Sequence, residues 1–173
     1  MKGAQGQATT RVRDSIDVER LAAWIEQQEP LPDCATSSNL KLRQFGFGQS
    51  NPTYKLTIGD KHFVLRKKPK RVAHQSAHAL HREYRVLQAL AQHSKHHAET
   101  RNVVPVPRAY SYCRDTTILG SEFYIMEYVE GRIFTDPTLP GLSNEERRQA
   151  FHSILQTLSS LHSVDYRAVG LER

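Results

Sequence analysis

Sulfur is scarce in this chain of 173 residues, which holds two cysteines, Cys34 and Cys113, and two methionines. Two thiols cannot build the disulfide framework on which small secreted domains depend, so a reducing intracellular compartment is expected. Long apolar runs are missing too. No stretch reaches the ~18 uninterrupted apolar residues of a membrane-spanning helix, and Met1 to Asp14 is polar, without the apolar segment of a secretory leader. The expectation is a soluble, intracellular protein, with cytoplasm, mitochondrion and peroxisome all open. A Gly-x-Ser-x-Gly elbow is absent and neither cysteine sits in an activating local sequence, so nucleophilic catalysis has no support. His93, His96 and His97 lack the cysteine or carboxylate partners and the spacing of a zinc site, so no metal ligand is assigned. No internal repeat or low-complexity tract is visible.

What is present is ordinary globular composition, 38% hydrophobic and 24% charged, enough for one domain with a sizeable core. The formal charge of +6 comes mostly from scattered lysines and arginines, with one dense cluster of Arg66, Lys67, Lys68, Lys70 and Arg71. No aromatic residue interleaves it, which argues against a nucleic-acid platform. A solvated strand end running into a loop is the plain reading, and an anion site for phosphates is the alternative.

Residues 1–15 read as a flexible N-terminus. Val18, Leu21, Ala22 and Ile25 recur at helical spacing, so Asp17 to Gln28 is expected to be an amphipathic helix ended by Glu29-Pro30-Leu31-Pro32. From Leu40 the pattern becomes strand-like: Leu40 to Phe45, Thr53 to Ile58 and His62 to Leu65, with Gly59-Asp60 as a tight turn. Ala77 to Ala91 returns to helical spacing, and Gln92 to Asn102 reads as a polar loop. Two prolines keep Val103 to Pro107 out of a central strand, whereas Ala109 to Cys113 and Phe123 to Glu127 complete a sheet of about five strands. Ser143 and Glu146 form a capping box ahead of a helix carrying Phe151, Ile154, Leu155, Leu158 and Leu161. The fold class is α+β.

Phe45-Gly46-Phe47-Gly48-Gln49-Ser50-Asn51 lies between two expected strands, where glycines allow close approach of a ligand and Ser50 and Asn51 add polar groups. A plain hairpin turn would look much the same. Arg66 ends the third strand, and Glu83 falls beside the buried stripe of the following helix, three residues after Leu80 and four before Leu87. A carboxylate there either pairs with Arg66, which can grip it in bidentate fashion, or snorkels to solvent. Glycine loop, basic strand residue, helical glutamate and an apolar strand ending in Met126-Glu127-Tyr128-Val129-Glu130-Gly131 follow one another in the order of a kinase N-lobe.

Three runs make that order specific: Phe47-Gly48-Gln49-Ser50-Asn51-Pro52-Thr53-Tyr54, Phe63-Val64-Leu65-Arg66-Lys67-Lys68-Pro69 and His81-Arg82-Glu83-Tyr84-Arg85-Val86-Leu87. With them the chain, from about Ile16 to Arg173, resembles the aminoglycoside phosphotransferase family, and within it the branch fused to acyl-CoA dehydrogenases in animals. The resemblance implies a protein-kinase-like N-lobe over 16–130 and the hinge exit and first helix of an incomplete C-lobe over 131–173. It implies ATP and magnesium as cofactors. Gly46, Gly48, Gln49, Ser50 and Asn51 match the loop that covers the ATP phosphates, Arg66 stands where the family places its phosphate-contacting basic residue, commonly lysine, and Glu83 matches the helical partner of that residue. Met126 would sit behind the adenine, with the carbonyl of Glu127 and the amide of Val129 at its edge. Arginine in place of lysine departs from the common pattern, although its planar fork can hold both a phosphate and Glu83.

The His-x-Asp-x-x-x-x-Asn loop and the later magnesium-binding Asp of such kinases do not occur. His162-Ser163-Val164-Asp165 has two residues between His and Asp and no Asn five positions on, and it continues an amphipathic helix, so it reads as a helix terminus. No catalytic residue is assigned. The expected function is the ATP-binding part of a small-molecule kinase whose parent transfers the γ-phosphoryl group to a hydroxyl, for which a hydroxyacyl-CoA is one substrate class. Fusion to or association with an acyl-CoA dehydrogenase module is implied, with neither nucleic acid nor membrane as partner. The alternatives are a non-catalytic module holding a nucleotide or CoA phosphate and a vestigial interaction domain.

Overall fold

The computed structural model describes residues 9–13, 15–28, 31–32, 39–46, 51–69, 79–97, 99 and 102–172. Ten elements follow in order: β1 (Thr9–Thr10), α1 (Val18–Glu26), β2 (Lys41–Phe45), β3 (Thr53–Ile58), β4 (Lys61–Lys67), α2 (Leu80–His96), β5 (Ala109–Cys113), α3 (Thr116–Leu119), β6 (Phe123–Glu127) and α4 (Asn144–His162). The strands form one six-stranded antiparallel sheet in the order β1-β2-β3-β4-β6-β5.

The sheet grows from the period-two patterns of β3 and β4. Tyr54, Leu56 and Ile58 alternate with less buried residues along β3, and across the ladder Leu65 opposes Tyr54 while Phe63 opposes Leu56. Gly59, at φ +60°, closes the two-residue turn between these strands, a conformation that costs glycine little. α1 covers this apolar face. Asp17 caps it by accepting the Arg20 amide at 3.0 Å, Leu21 and Ile25 are buried, and Trp24 meets the Phe123 ring edge-on at 4.8 Å. Phe123, Ile125 and Cys113 extend the same core onto β6 and β5.

Three features differ from expectation. Thr9–Thr10 adds a sixth strand at the edge beside β2, too short and polar to leave a pattern. α3 follows β5, capped by Asp115 and ended by Gly120 at φ +78°, and four residues are too few for a period to show. α2 runs on to His96 instead of yielding to a loop at Gln92. His93 continues the buried face of Ala89 and Leu90, and Ser94 exchanges hydrogen bonds of 3.0 Å with both the carbonyl and the amide of Val104, so these polar residues are held in the helix by tertiary partners.

Two compact units can be distinguished. One, Gln7–Tyr84 with Pro107–Glu130, contains the sheet, α1, α3 and the first turn of α2. The other draws on Arg85–Val106 and Gly131–Arg173 and contains the rest of α2 and all of α4. At the start of α4 Ser143 Oγ accepts the Glu146 amide at 3.2 Å while the Glu146 carboxylate accepts the Ser143 amide at 2.8 Å, so the expected capping box is formed. The bond from the Ser143 amide first, then the nearby Ser143 hydroxyl, with a smaller contribution from Arg132, hold the Glu146 carboxyl below the usual carboxylate range. Among the described residues no helix is long and apolar enough to cross a membrane.

Candidate functional site

Strand alternation sorts β4 into two sets of side chains. Phe63, Leu65 and Lys67 turn toward the α1 face, while Val64 and Arg66 turn to the opposite one, where β6 sets Met126 against Val64 and Tyr124 against Arg66. The basic cluster is therefore not one solvated strand end. Lys67 is fully buried, because the ladder continues through it to Phe123 and points it inward. The next residue is tied down as well: the Lys68 amide donates to Glu122 at 2.9 Å and its carbonyl accepts Ser121 Oγ at 2.6 Å. Lys70 and Arg71 lie outside the described residues.

On the second face the Arg66 Nε stands 3.0 Å from Glu83 Oε1, each side chain about one-third exposed (32% and 32%). Of the two readings of Glu83, the pair with Arg66 is the one present. The Nε–H does not point along a hydrogen bond to that oxygen, so the contact is chiefly an attraction of charges. Glu83 Oε1 also accepts the Tyr124 hydroxyl at 2.5 Å. Tyr124 is fully buried, and burial first, then the bond to Glu83 and its charge, raise its pKa, with Arg66 opposing. Its hydroxyl is thereby kept as a donor. Tyr84 braces this group: its ring lies 5.7 Å from that of Tyr124 and 5.3 Å from that of Tyr112, and its hydroxyl donates to the Tyr110 carbonyl at 3.3 Å. The Tyr112 hydroxyl donates to Glu122 Oε2 at 2.8 Å.

The remaining expected residues flank this pair. Gly46 follows β2 and is exposed, and a Cβ added there meets nothing within 4 Å, so no described neighbour requires a glycine. Asn51 is buried, and its carbonyl accepts the Thr53 hydroxyl at 3.0 Å. Thr53 pairs with Arg66 across the ladder, and the Pro52 carbonyl accepts the Lys67 amide at 2.9 Å, so the segment leading into β3 runs beside Arg66. Gly48, Gln49 and Ser50 lie outside the described residues. Met126 is half-buried on the Arg66 face. The Glu127 amide donates to the Arg108 carbonyl at 2.8 Å and Glu127 Oε2 accepts the Arg108 amide at 3.0 Å, after which the chain leaves the sheet toward an exposed Val129.

Two groups had no forecast in the sequence. One is the set of tyrosines around Glu83, whose signal was available: Tyr124 is two residues before Met126 and so shares its face. The other surrounds Tyr128, with Lys55 Nζ 4.6 Å above its ring, His62 edge-on at 5.7 Å and Phe45 nearly parallel at 6.5 Å.

In the second unit Asp165 closes a turn after α4, its Oδ1 accepting the Arg167 amide at 2.9 Å, which accords with a helix terminus. His93 and His97 stack at 4.2 Å. Among the described residues no group of three or more histidines, cysteines or carboxylates stands together as metal ligands.

Residues 41–173 match the model of the phosphotransferase enzyme family. The "Probable acyl-CoA dehydrogenase IBR3" of Arabidopsis thaliana is 39% identical over the whole of this chain, which spans 21% of that protein. Acyl-CoA dehydrogenase family member 10 of Mus musculus is 43% identical over 77% of the chain and 12% of its own length, and family member 11 of Rattus norvegicus is 39% identical over 91% and 19%. The chain thus spans about a fifth or less of these relatives. A crystal structure of an aminoglycoside phosphotransferase homologue from Ralstonia eutropha JMP134 superimposes with a TM-score of 0.70 at 38% identity, over 90% of this chain and 40% of that one.

Proposed function

This chain belongs to the phosphotransferase enzyme family, and from that premise we propose that it is the ATP-binding part of a kinase that phosphorylates a small-molecule hydroxyl. The observation that carries the reading is the Arg66–Glu83 pair at 3.0 Å, on the face shared with Met126. A guanidinium drawn toward a carboxylate is kept near one place before a ligand arrives and retains donors for phosphate oxygens. Gly46, Gly48, Gln49, Ser50 and Asn51 cover the phosphates, Met126 backs the adenine, and Glu127 and Val129 meet its edge through their backbone. Residues 16–130 form the N-lobe and 131–173 begin the C-lobe. Magnesium arrives with the nucleotide, and no residue of this chain is assigned to it. The acyl-CoA dehydrogenase names of the relatives favour a hydroxylated acyl-CoA as substrate and a dehydrogenase module as partner.

Linkage supplies the test. A ligand that binds only the folded chain stabilises it by about 2.7 kcal/mol at a hundred times its Kd. Magnesium-ATP should raise the melting temperature followed by the fluorescence of Trp24, the single tryptophan, which packs on Phe123 in the sheet core. An unchanged melting temperature at millimolar ATP refutes the proposal.

A further inference from the structure

The proposed role of Arg66 leaves Tyr124 unexplained. Its hydroxyl shares Glu83 Oε1 with Arg66, donating at 2.5 Å while Arg66 Nε stands at 3.0 Å. A fully buried tyrosine needs a partner for its hydroxyl, but that need is met by any acceptor. Here the acceptor is the carboxylate paired with the cation. Glu83 sits in the first turn of α2, and its side chain, one-third exposed, would be free to rotate toward water if Arg66 alone held it. The Arg66 contact is not itself aligned as a hydrogen bond, whereas that from Tyr124 is, so the directional restraint on the carboxylate comes from the sheet. The donor is rigid in turn. Tyr124 is paired through the backbone to Arg66 in the central ladder, and its ring is held by Tyr84, the residue after Glu83.

Resting on the ATP reading, we infer that Tyr124 is a positioning residue: by fixing the Glu83 carboxylate it aims the Arg66 guanidinium at the nucleotide's phosphates. It touches no ligand itself. Its loss should therefore weaken binding of the phosphates and leave binding of the nucleoside intact, and the loss should depend on Glu83 being present. A structural role alone would lower stability without changing the preference for ATP over adenosine.

The test is calorimetric titration of the chain with magnesium-ATP and with adenosine, for the native sequence, Tyr124→Phe, Glu83→Ala and the double variant. Tyr124→Phe should weaken ATP about tenfold or more, the worth of one hydrogen bond to a charged group, with adenosine unchanged. In the Glu83→Ala background the same substitution should have no effect on ATP. Equal weakening of ATP and adenosine, or unchanged ATP affinity, overturns the inference. If Tyr124→Phe does not fold, Tyr124→Met, which is apolar and has no donor, takes its place with the same expectation. Failure of the native chain to bind either ligand removes the ATP reading and this inference with it, and is told apart because it appears before any substitution.

Discussion

Removing the Arg66–Glu83 attraction should cost the sheet unit about 1 kcal/mol, and the figure follows from distance and exposure. Two unit charges 3.0 Å apart attract by ~1.4 kcal/mol in water and ~5.5 kcal/mol at an effective dielectric of 20. With a third of each side chain in solvent the pair sits nearer the first value, and desolvation and side-chain ordering subtract from it. Sharing Glu83 Oε1 with Tyr124 lowers it again, which leaves about 1 kcal/mol of coupling. The perturbations are Arg66→Met, which keeps the aliphatic stem, and Glu83→Gln, which keeps an acceptor for Tyr124, made singly and together. Urea unfolding followed by Trp24 fluorescence closes the cycle on the right unit, since Trp24 packs on Phe123 within it. Salt supplies the control: at 1 M the screening length falls to ~3 Å, comparable with the separation, so the coupling should drop by roughly half. A coupling below about 0.3 kcal/mol, or one indifferent to salt, would refute the claim that charge attraction holds this pair.

Ser143→Ala should destabilise α4 by about 1 kcal/mol, read as lost helical ellipticity on heating. The Glu146 carboxyl has a lowered pKa in the folded chain, so its contribution is present above the ordinary glutamate pKa and is lost as pH falls through the depressed one, and the Ser143→Ala difference should shrink in acid. Phe151, Leu155 and Leu158 of α4 are 48%, 63% and 43% exposed, so the 173-residue chain should self-associate in light scattering and Leu155→Glu should return it toward a monomer. Cys113 is buried and its burial raises the thiol pKa, so in a Cys34→Ser background it should react with a thiol reagent only after unfolding.

Much of the fold was legible because β3 alternates cleanly along its length and α4 opens on a capping box. β3, β5 and β6 fall at their expected bounds, and the Ser143–Glu146 box is where the sequence puts it. What escaped was whatever depends on partners distant in sequence. His93 and Ser94 look like loop residues until burial and Val104 hold them in α2, and Thr9–Thr10 becomes a strand only because β2 offers an edge. The site divided in the same way. Arg66 and Glu83 were visible as a charge on a strand and a charge on a helical stripe, whereas Tyr124 read as one more apolar strand residue, its hydroxyl having no sequence neighbour to pair with.

Lys67 shows why that division arises. Side by side in sequence, Arg66 and Lys67 look like members of one cationic patch, yet the ladder sends one to Glu83 and the other, fully buried, to the side of Phe63, Leu65 and Phe123. Their separation is set by register. Leu65 and Phe63 must oppose Tyr54 and Leu56 to bury the core, and once that pairing is made Arg66 has no choice of face. A slip of one residue would put Arg66 into the core and Leu65 against Glu83, losing the apolar contacts and stranding a charge at once. The pairing that buries the core therefore also sets the face on which Arg66 stands beside Glu83.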